Sequence, residues 1–156
     1  MKIDIRRVRP DEMDFLCELD VKIFGDDGFD TPELWDGLEI FFIVADDSIV
    51  GSTALRHHSD VSDDGPVEYP YFRDSLYIVS TGILPEWQGR GLGKIVKAWQ
   101  IDYARQNGFT RIVTNARASN FRSIELNKKF GLKIVRTIAG YYENPNEDAV
   151  ILDLNF

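Results

Sequence analysis

Ile83-Leu84-Pro85-Glu86-Trp87-Gln88-Gly89-Arg90-Gly91-Leu92-Gly93-Lys94 carries three glycines at alternate positions, between an apolar run and a stretch of helical periodicity. The residues before it, Ser75 to Leu84, have strand character. From Gly91 to Asn107, Leu92, Ile95, Val96, Trp99 and Tyr103 recur at helical spacing, and Gly108 closes the pattern. A strand therefore runs into a glycine-rich turn that opens a helix. Such a turn exposes backbone N–H groups, with no Cβ to block an approaching group. The first helical turn adds unsatisfied N–H donors and the positive end of the helix dipole. The combination suits a phosphate or pyrophosphate, and Arg90 and Lys94 add positive charge. The same glycines would equally serve a helix start that needs them only for packing. The spacing is neither that of a Walker loop nor GxGxxG.

Working outward, Lys2 to Val8 alternates in the manner of a strand, and Pro10-Asp11 opens a helix with Phe15, Leu16, Leu19 and Ile23 on one side. Gly25 to Asp30 is a turn. Thr31-Pro32 reads as an N-cap and first helical position, which predicts a short helix to Leu38. Ile40 to Ala45 and Ile49 to Arg56 form a hairpin across Asp46-Asp47-Ser48. Ser59 to Pro66, acidic and turn-rich, reads as a solvated loop within the domain. Towards the other end, Arg111 to Ala116 is a strand. Asn120 to Phe130 is a helix closed by Gly131, and Lys133 to Tyr142 and Ala149 to Leu154 are strands. This order predicts an α/β chain: one domain over residues 1–156 with a mixed sheet and helices on its faces.

The 156 residues include 18 Lys and Arg against 26 Asp and Glu, a formal net charge of −8. An acidic surface repels phosphate backbones, so a nucleic-acid partner is not expected. The charge suits a cationic substrate and also simple solubility. No apolar run approaches the roughly 20 residues of a membrane span. Met1 to Pro10 lacks the apolar core of a signal peptide. A single cysteine, Cys17, excludes an internal disulfide and a cysteine-built zinc site. The expectation is a cytoplasmic chain with no membrane association and no metal.

The spacing Gln88-x-x-Gly91-x-Gly93 resembles the acetyl-coenzyme A signature of the GNAT superfamily of N-acetyltransferases, Q/R-x-x-G-x-G/A. The preceding strand, Pro85 and the amphipathic helix stand where that family has them, and the order of elements is similar along nearly the whole chain. Asn120, Ser123, Leu126, Lys129 and Gly131 match a second family pattern, with Leu132 in place of its phenylalanine. Arg117-Ala118-Ser119-Asn120 and the ending Tyr141-Tyr142 with Glu147-Asp148-Ala149 are similar to the RimI-like N-terminal acetyltransferase branch. The resemblance implies a GNAT-like fold, a mixed and mostly antiparallel sheet flanked by helices. It implies acetyl-coenzyme A as co-substrate, without a metal. It places Ile83, Leu84, Gln88, Gly89, Arg90, Gly91, Leu92, Gly93 and Lys94 at the coenzyme, together with Asn120 and Ser123. Tyr141 and Tyr142 would meet the acceptor. The chemistry of Asn120 also favours a helix N-cap, and both roles can hold at once. The two tyrosines could equally be an aromatic pair packed at a strand end.

The chain departs from the branch at the two positions that matter most for proton transfer. RimI-like enzymes carry a glutamate where Asn115 stands, and a tyrosine that protonates the thiolate where Asn127 stands. An amide neither gives nor takes a proton near neutral pH. Asn120, Ile124 and Asn127 fall on one helical face, which predicts that Asn127 faces the site, there to hydrogen-bond the sulfur or hold a water. Some branches place a glutamate near Tyr77, an alternative acid or a packed strand tyrosine. His57 and His58, on the expected substrate side, have the right reference pKa for a base but the exposure of ordinary loop histidines.

The resulting expectation is an acetyltransferase that moves an acetyl group to a primary amine by direct transfer in a ternary complex, with the N–H of Ile83 or Leu84 stabilising the oxyanion. The acceptor is a peptide or protein N-terminus, from the tyrosine-rich ending, or a small-molecule amine, from the missing acid–base pair and the acidic insert Ser59 to Asp74. The rival expectation is a weak or inactive acyl-coenzyme A-binding module acting as sensor or scaffold.

Overall fold

A computed structural model describes residues 1–57 and 75–156. His58, the loop expected at Ser59 to Pro66 and the rest of the insert to Asp74 lie outside the described residues. The strands are β1 (Ile3–Arg7), β2 (Glu39–Ala45), β3 (Ser48–His57), β4 (Ser75–Ile83), β5 (Arg111–Arg117), β6 (Lys133–Tyr142) and β7 (Glu147–Asn155). The α-helices are α1 (Met13–Phe24), α2 (Leu92–Gln106) and α3 (Phe121–Lys129). The strand order is β1-β2-β3-β4-β5-β7-β6 in one seven-stranded sheet. Among the described registers, β4–β5 is parallel and β1–β2, β2–β3, β5–β7 and β6–β7 are antiparallel. The mixed sheet expected from the order of elements is present, and it is mostly antiparallel, as the family resemblance implies. The chain divides into two compact units, residues 1–56 with 79–93, and residues 57–78 with 94–156.

In the first unit, the β2–β3 turn places Asp46 and Asp47 at φ 47° and 68°. Aspartate tolerates this left-handed region better than most residues. Asp46 also accepts the N–H of Lys2 at 2.8 Å, which fixes the start of the chain. Helix α1 buries Leu16, Cys17 and Leu19 with Trp35, Phe42 and Ala54. Phe15, expected on the same side, is largely exposed, and its ring meets Phe42 edge-on at 5.8 Å. Asp20 is buried and accepts the N–H of Phe29 at 2.7 Å, with burial pushing its carboxyl above the ordinary value. The helix expected over Thr31 to Leu38 is a 3-10 turn at Pro32–Trp35 only. It stops because Asp36 turns extended, at ψ 136°, and Gly37 follows at φ 77°.

In the second unit, β4 pairs with β5 from Ser75↔Arg111 to Ile78↔Thr114. Arg111 Nε donates to Asp153 Oδ2 at 2.7 Å in a buried ion pair that ties β5 to β7. Val113, Ile138, Ala149 and Ile151 form a buried cluster, with Tyr77 and Tyr142 packed on it. The inner face of α2 differs from the expected stripe. Val96, Lys97, Gln100, Ile101 and Ala104 are buried, whereas Ile95 is 43% exposed. The rows Val96–Gln100–Ala104 and Lys97–Ile101 are helical neighbours at i, i+4. Burial therefore follows the row and takes two polar side chains with it.

Candidate active site

The first unit contains the turn. Strand β4 ends at Ile83, and a 3-10 turn at Pro85–Trp87 follows, with proline at its first position. Trp87 N–H donates to Leu84 O at 2.9 Å and Gln88 N–H to Pro85 O at 3.2 Å. The Gln88 side chain donates back to Ile83 O at 3.0 Å and closes the turn. Gly89 and Gly91 adopt φ 77° and 83°, and among the described residues a Cβ on either would meet no atom within 4 Å. Glycine is required here by backbone conformation, and packing does not explain it. The open space beside both glycines, followed by the start of α2, is a cradle that fits a pyrophosphate. Arg90 stacks over the Trp87 ring at 4.5 Å, which orders its guanidinium. The Leu92 side chain is buried, so only its backbone can meet a ligand.

One expectation needs correction. The N–H of Leu84 donates to Val50 O at 2.8 Å and is committed to the sheet. It cannot serve an oxyanion, which leaves Ile83 of the two donors considered.

The second unit, described by itself, contains the start of α3. Asn120 is its N-cap, with Oδ1 accepting Ser123 N–H at 3.2 Å. The capping oxygen is thereby used, and among the described residues the Nδ2 donors of Asn120 remain for a ligand. Ser123 is engaged within the helix, since its carbonyl also accepts Asn127 Nδ2 at 2.8 Å. Asn127 is 3% exposed and folded back on its own helix, and its Oδ1 receives no donor among the described residues. Periodicity placed it with Ile124 correctly, but that face is the buried one.

Tyr77, Asn115 and Tyr142 come together across β4, β5 and β6. Tyr77 O–H donates to Asn115 Oδ1, and Asn115 Nδ2 donates to Tyr142 Oη at 2.5 Å. Burial pushes the Tyr142 phenol above its ordinary value. Tyr141, exposed, meets the Tyr142 ring edge-on at 5.0 Å. Arg117 lies 4.5 Å from the Tyr142 ring centre and donates to Glu143 O and Pro145 O, both at 3.0 Å. Glu147 accepts Ser119 N–H at 2.6 Å and pairs with Arg117 at 3.4 Å. The Ser119 bonds hold its carboxyl below the usual range. His57 packs edge-on against Phe109 at 4.8 Å. Sequence reasoning passed over Arg117 and Glu147 as ligands of the β6–β7 loop, although both stand in the motifs quoted above. It also passed over Lys97, whose burial lowers its pKa to about 8.

Among the described residues, no helix is long and apolar enough to cross a membrane, and no group of three metal-ligating side chains converges.

A family model described as the Acetyltransferase (GNAT) family matches residues 9–132. A Bacillus subtilis (strain 168) protein named for N-acetylation of the alanine of ribosomal protein bS18 is 29% identical over 79 residues, covering 51% of this chain. The match spans about half, 52%, of that relative's length. The crystal structure of the ribosomal-protein-S18-alanine N-acetyltransferase from Escherichia coli superposes with a TM-score of 0.79 at 16% identity, covering 99% of this chain and 94% of that one. A Bacillus subtilis acetyltransferase solved with CoA gives a TM-score of 0.74 at 21% identity, covering 99% of both chains. At these identities the structural likeness speaks for the fold. The family match over most of the chain goes further, and the chain belongs to the Acetyltransferase (GNAT) family.

Proposed function

We propose that the chain is an acetyl-CoA-dependent N-acetyltransferase acting on a primary amine, either a peptide or protein N-terminus or a small molecule. The observation that carries this reading is the turn at Gly89–Gly91, open on its outer side, within a chain of this family. The N–H groups of the turn and of the helix start that follows it hold the coenzyme's pyrophosphate, with Arg90 supplying charge. Acetyl-CoA supplies an activated thioester, whose C–S bond breaks as the substrate nitrogen forms the C–N bond, the amine proton passing through water to the thiolate. The Ile83 N–H is the donor for the developing oxyanion. Positioning of the two reactants carries much of the rate.

Neither Asn115 nor Asn127 can remove a proton. The substrate amine must therefore arrive neutral. An α-amine, with a reference pKa of about 7.7–8.0, is neutral in roughly 10–15% of molecules at pH 7, against about one in 2,500 for a lysine side chain. α-Amines should accordingly outpace lysine side chains, and rates should climb with pH as the free amine appears. A panel of amines and peptides with free-thiol detection tests this. Fast lysine acetylation at pH 7 with an enzyme pKa of about 6 to 7 would mean that a base exists, with His57, His58 and Tyr77 the first residues to replace.

The same two amides favour one rival, a catalytically weak acyl-CoA-binding module. Tight coenzyme binding with no turnover on any amine in the panel would establish that rival.

A further inference from the structure

Resting on that reading, we propose that Asn115 is a positioning residue whose amide fixes the Tyr142 hydroxyl as a hydrogen-bond donor to the amine-bearing substrate. The hydrogen bonds of the Tyr77–Asn115–Tyr142 chain run in one direction. Tyr77 O–H donates to Asn115 Oδ1, and Asn115 Nδ2 donates to Tyr142 Oη at 2.5 Å. An amide has one accepting and one donating end. With the oxygen taken by Tyr77, only the donating end is offered to Tyr142. The Tyr142 oxygen therefore accepts, and its own proton turns away from Asn115. Among the described residues, no acceptor receives that proton. The ring is held in place by Arg117 at 4.5 Å and by the edge of Tyr141 at 5.0 Å.

A carboxylate at 115 would act in the opposite sense. It accepts only, so both tyrosine hydroxyls would turn towards it and Tyr142 would have no proton to offer. The amide thus separates two tasks that a carboxylate would combine. It lets Tyr142 recognise an acceptor atom on the substrate, and it leaves deprotonation of the amine to solvent. The groups that face Tyr142 are Asn115 and Arg117 from β5, Glu147 from β7 and the adjacent Tyr141, with Tyr77 on β4 behind Asn115. Glu147, held below the usual carboxyl range, stays ionised at neutral pH beside Arg117. Tyr142 stays protonated there, because burial raises its pKa.

The test is Asn115→Asp and Tyr142→Phe, singly and combined, assayed with acetyl-CoA against an alanine-terminated peptide. Each single variant should raise KM about fivefold with kcat changed less than about twofold, as loss of one substrate hydrogen bond requires. The double variant should be no worse than Tyr142→Phe alone. Tyr77→Phe frees the Asn115 oxygen to turn towards Tyr142 and should give a smaller rise in KM. It serves as the test if Asn115→Asp does not fold. A second readout does not depend on turnover. Tyrosine ionisation at 295 nm, isolated for Tyr142 by difference from Tyr142→Phe, should move to higher pH in Asn115→Asp, where a negative charge adjoins the phenol. Unchanged KM in both the Asn115 and Tyr77 variants, or an unmoved Tyr142 ionisation, would overturn the proposal. Absence of acetyl transfer in the wild-type chain would instead sink the functional reading, with the titration still deciding the inference.

Discussion

The Gly89–Gly91 turn and the Tyr77–Asn115–Tyr142 chain are built by opposite means. The turn comes from one short stretch, and its shape is set by backbone: a proline-led 3-10 turn, two residues at positive φ and one glutamine closing onto Ile83. The tyrosine–asparagine chain joins residues 38 and 27 apart in sequence, and its shape is set by side chains on three strands. A ligand held by the first reads mostly N–H groups, which many sequences provide. A ligand held by the second reads one hydroxyl, whose direction depends on a single amide. Coenzyme binding should therefore tolerate changes in the second region, and acceptor choice should not.

The largest effect that can break this contrast is expected at Gly91. Gly91→Glu brings a carboxylate into the open side of the turn and should weaken acetyl-CoA binding roughly 100-fold or more, by repulsion where a pyrophosphate would sit. Its backbone, at φ 83°, also strains a non-glycine residue by roughly 1 to 3 kcal/mol. Gly91→Asn is the control, because asparagine tolerates this region without a charge. Titration calorimetry with thermal melts separates the two effects. Retained affinity in a folded Gly91→Glu would make the turn purely structural.

The same contrast explains what could be read from the sequence alone. The turn, the Asn120 cap and the hairpin at Asp46-Asp47 are local, and local chemistry marks them. The mixed, mostly antiparallel sheet became legible through the resemblance of whole motifs, whereas the strand order did not. What stayed hidden depends on register. Nothing near Asn115 in sequence shows that a one-residue slip of β5 would take it away from Tyr77 and Tyr142. Leu84 was misjudged for a related reason, since its N–H is claimed by Val50, 34 positions earlier. On α2, the apolar residues outlined a stripe through Ile95, but packing buried the row with Lys97 and Gln100. Hydrophobicity alone could not weigh those polar side chains against their neighbours.

Lys97 offers the next largest effect. Its Nζ makes no hydrogen bond or ion pair among the described residues, and burial lowers its pKa from 10.5 to about 8. Below about pH 8 both folded and unfolded chains carry the proton, and the fold bears the full desolvation penalty, about 3 kcal/mol. Between about pH 8 and 10.5 the unfolded chain binds more protons than the folded one, so stability rises with pH. Lys97→Met, of similar length, should stabilise the fold by about that amount at pH 7, with the gain fading by about pH 10.5. Denaturant unfolding at both pH values measures it. A loss of stability at pH 7 would mean that the ammonium has a partner, and that polar burial on α2 is functional.

The smallest effect concerns Asn120, where the local and the ligand-facing roles meet in one side chain. Its Oδ1 caps α3 by accepting Ser123 N–H, which leaves the Nδ2 hydrogens as donors. Asn120→Ala removes both functions and should lower stability by about 0.5–2 kcal/mol. Asn120→Asp keeps the capping oxygen and adds a negative charge at a helix N-terminus, so stability should be preserved or slightly raised. The aspartate has no N–H to offer, and it repels an anion. If Asn120 contacts the coenzyme, Asn120→Asp should bind acetyl-CoA several-fold more weakly while melting no lower than the wild type. Binding unchanged in Asn120→Asp, alongside destabilised Asn120→Ala, would assign the residue to the helix alone. The coenzyme site would then rest entirely on the glycine turn and the helix that it opens.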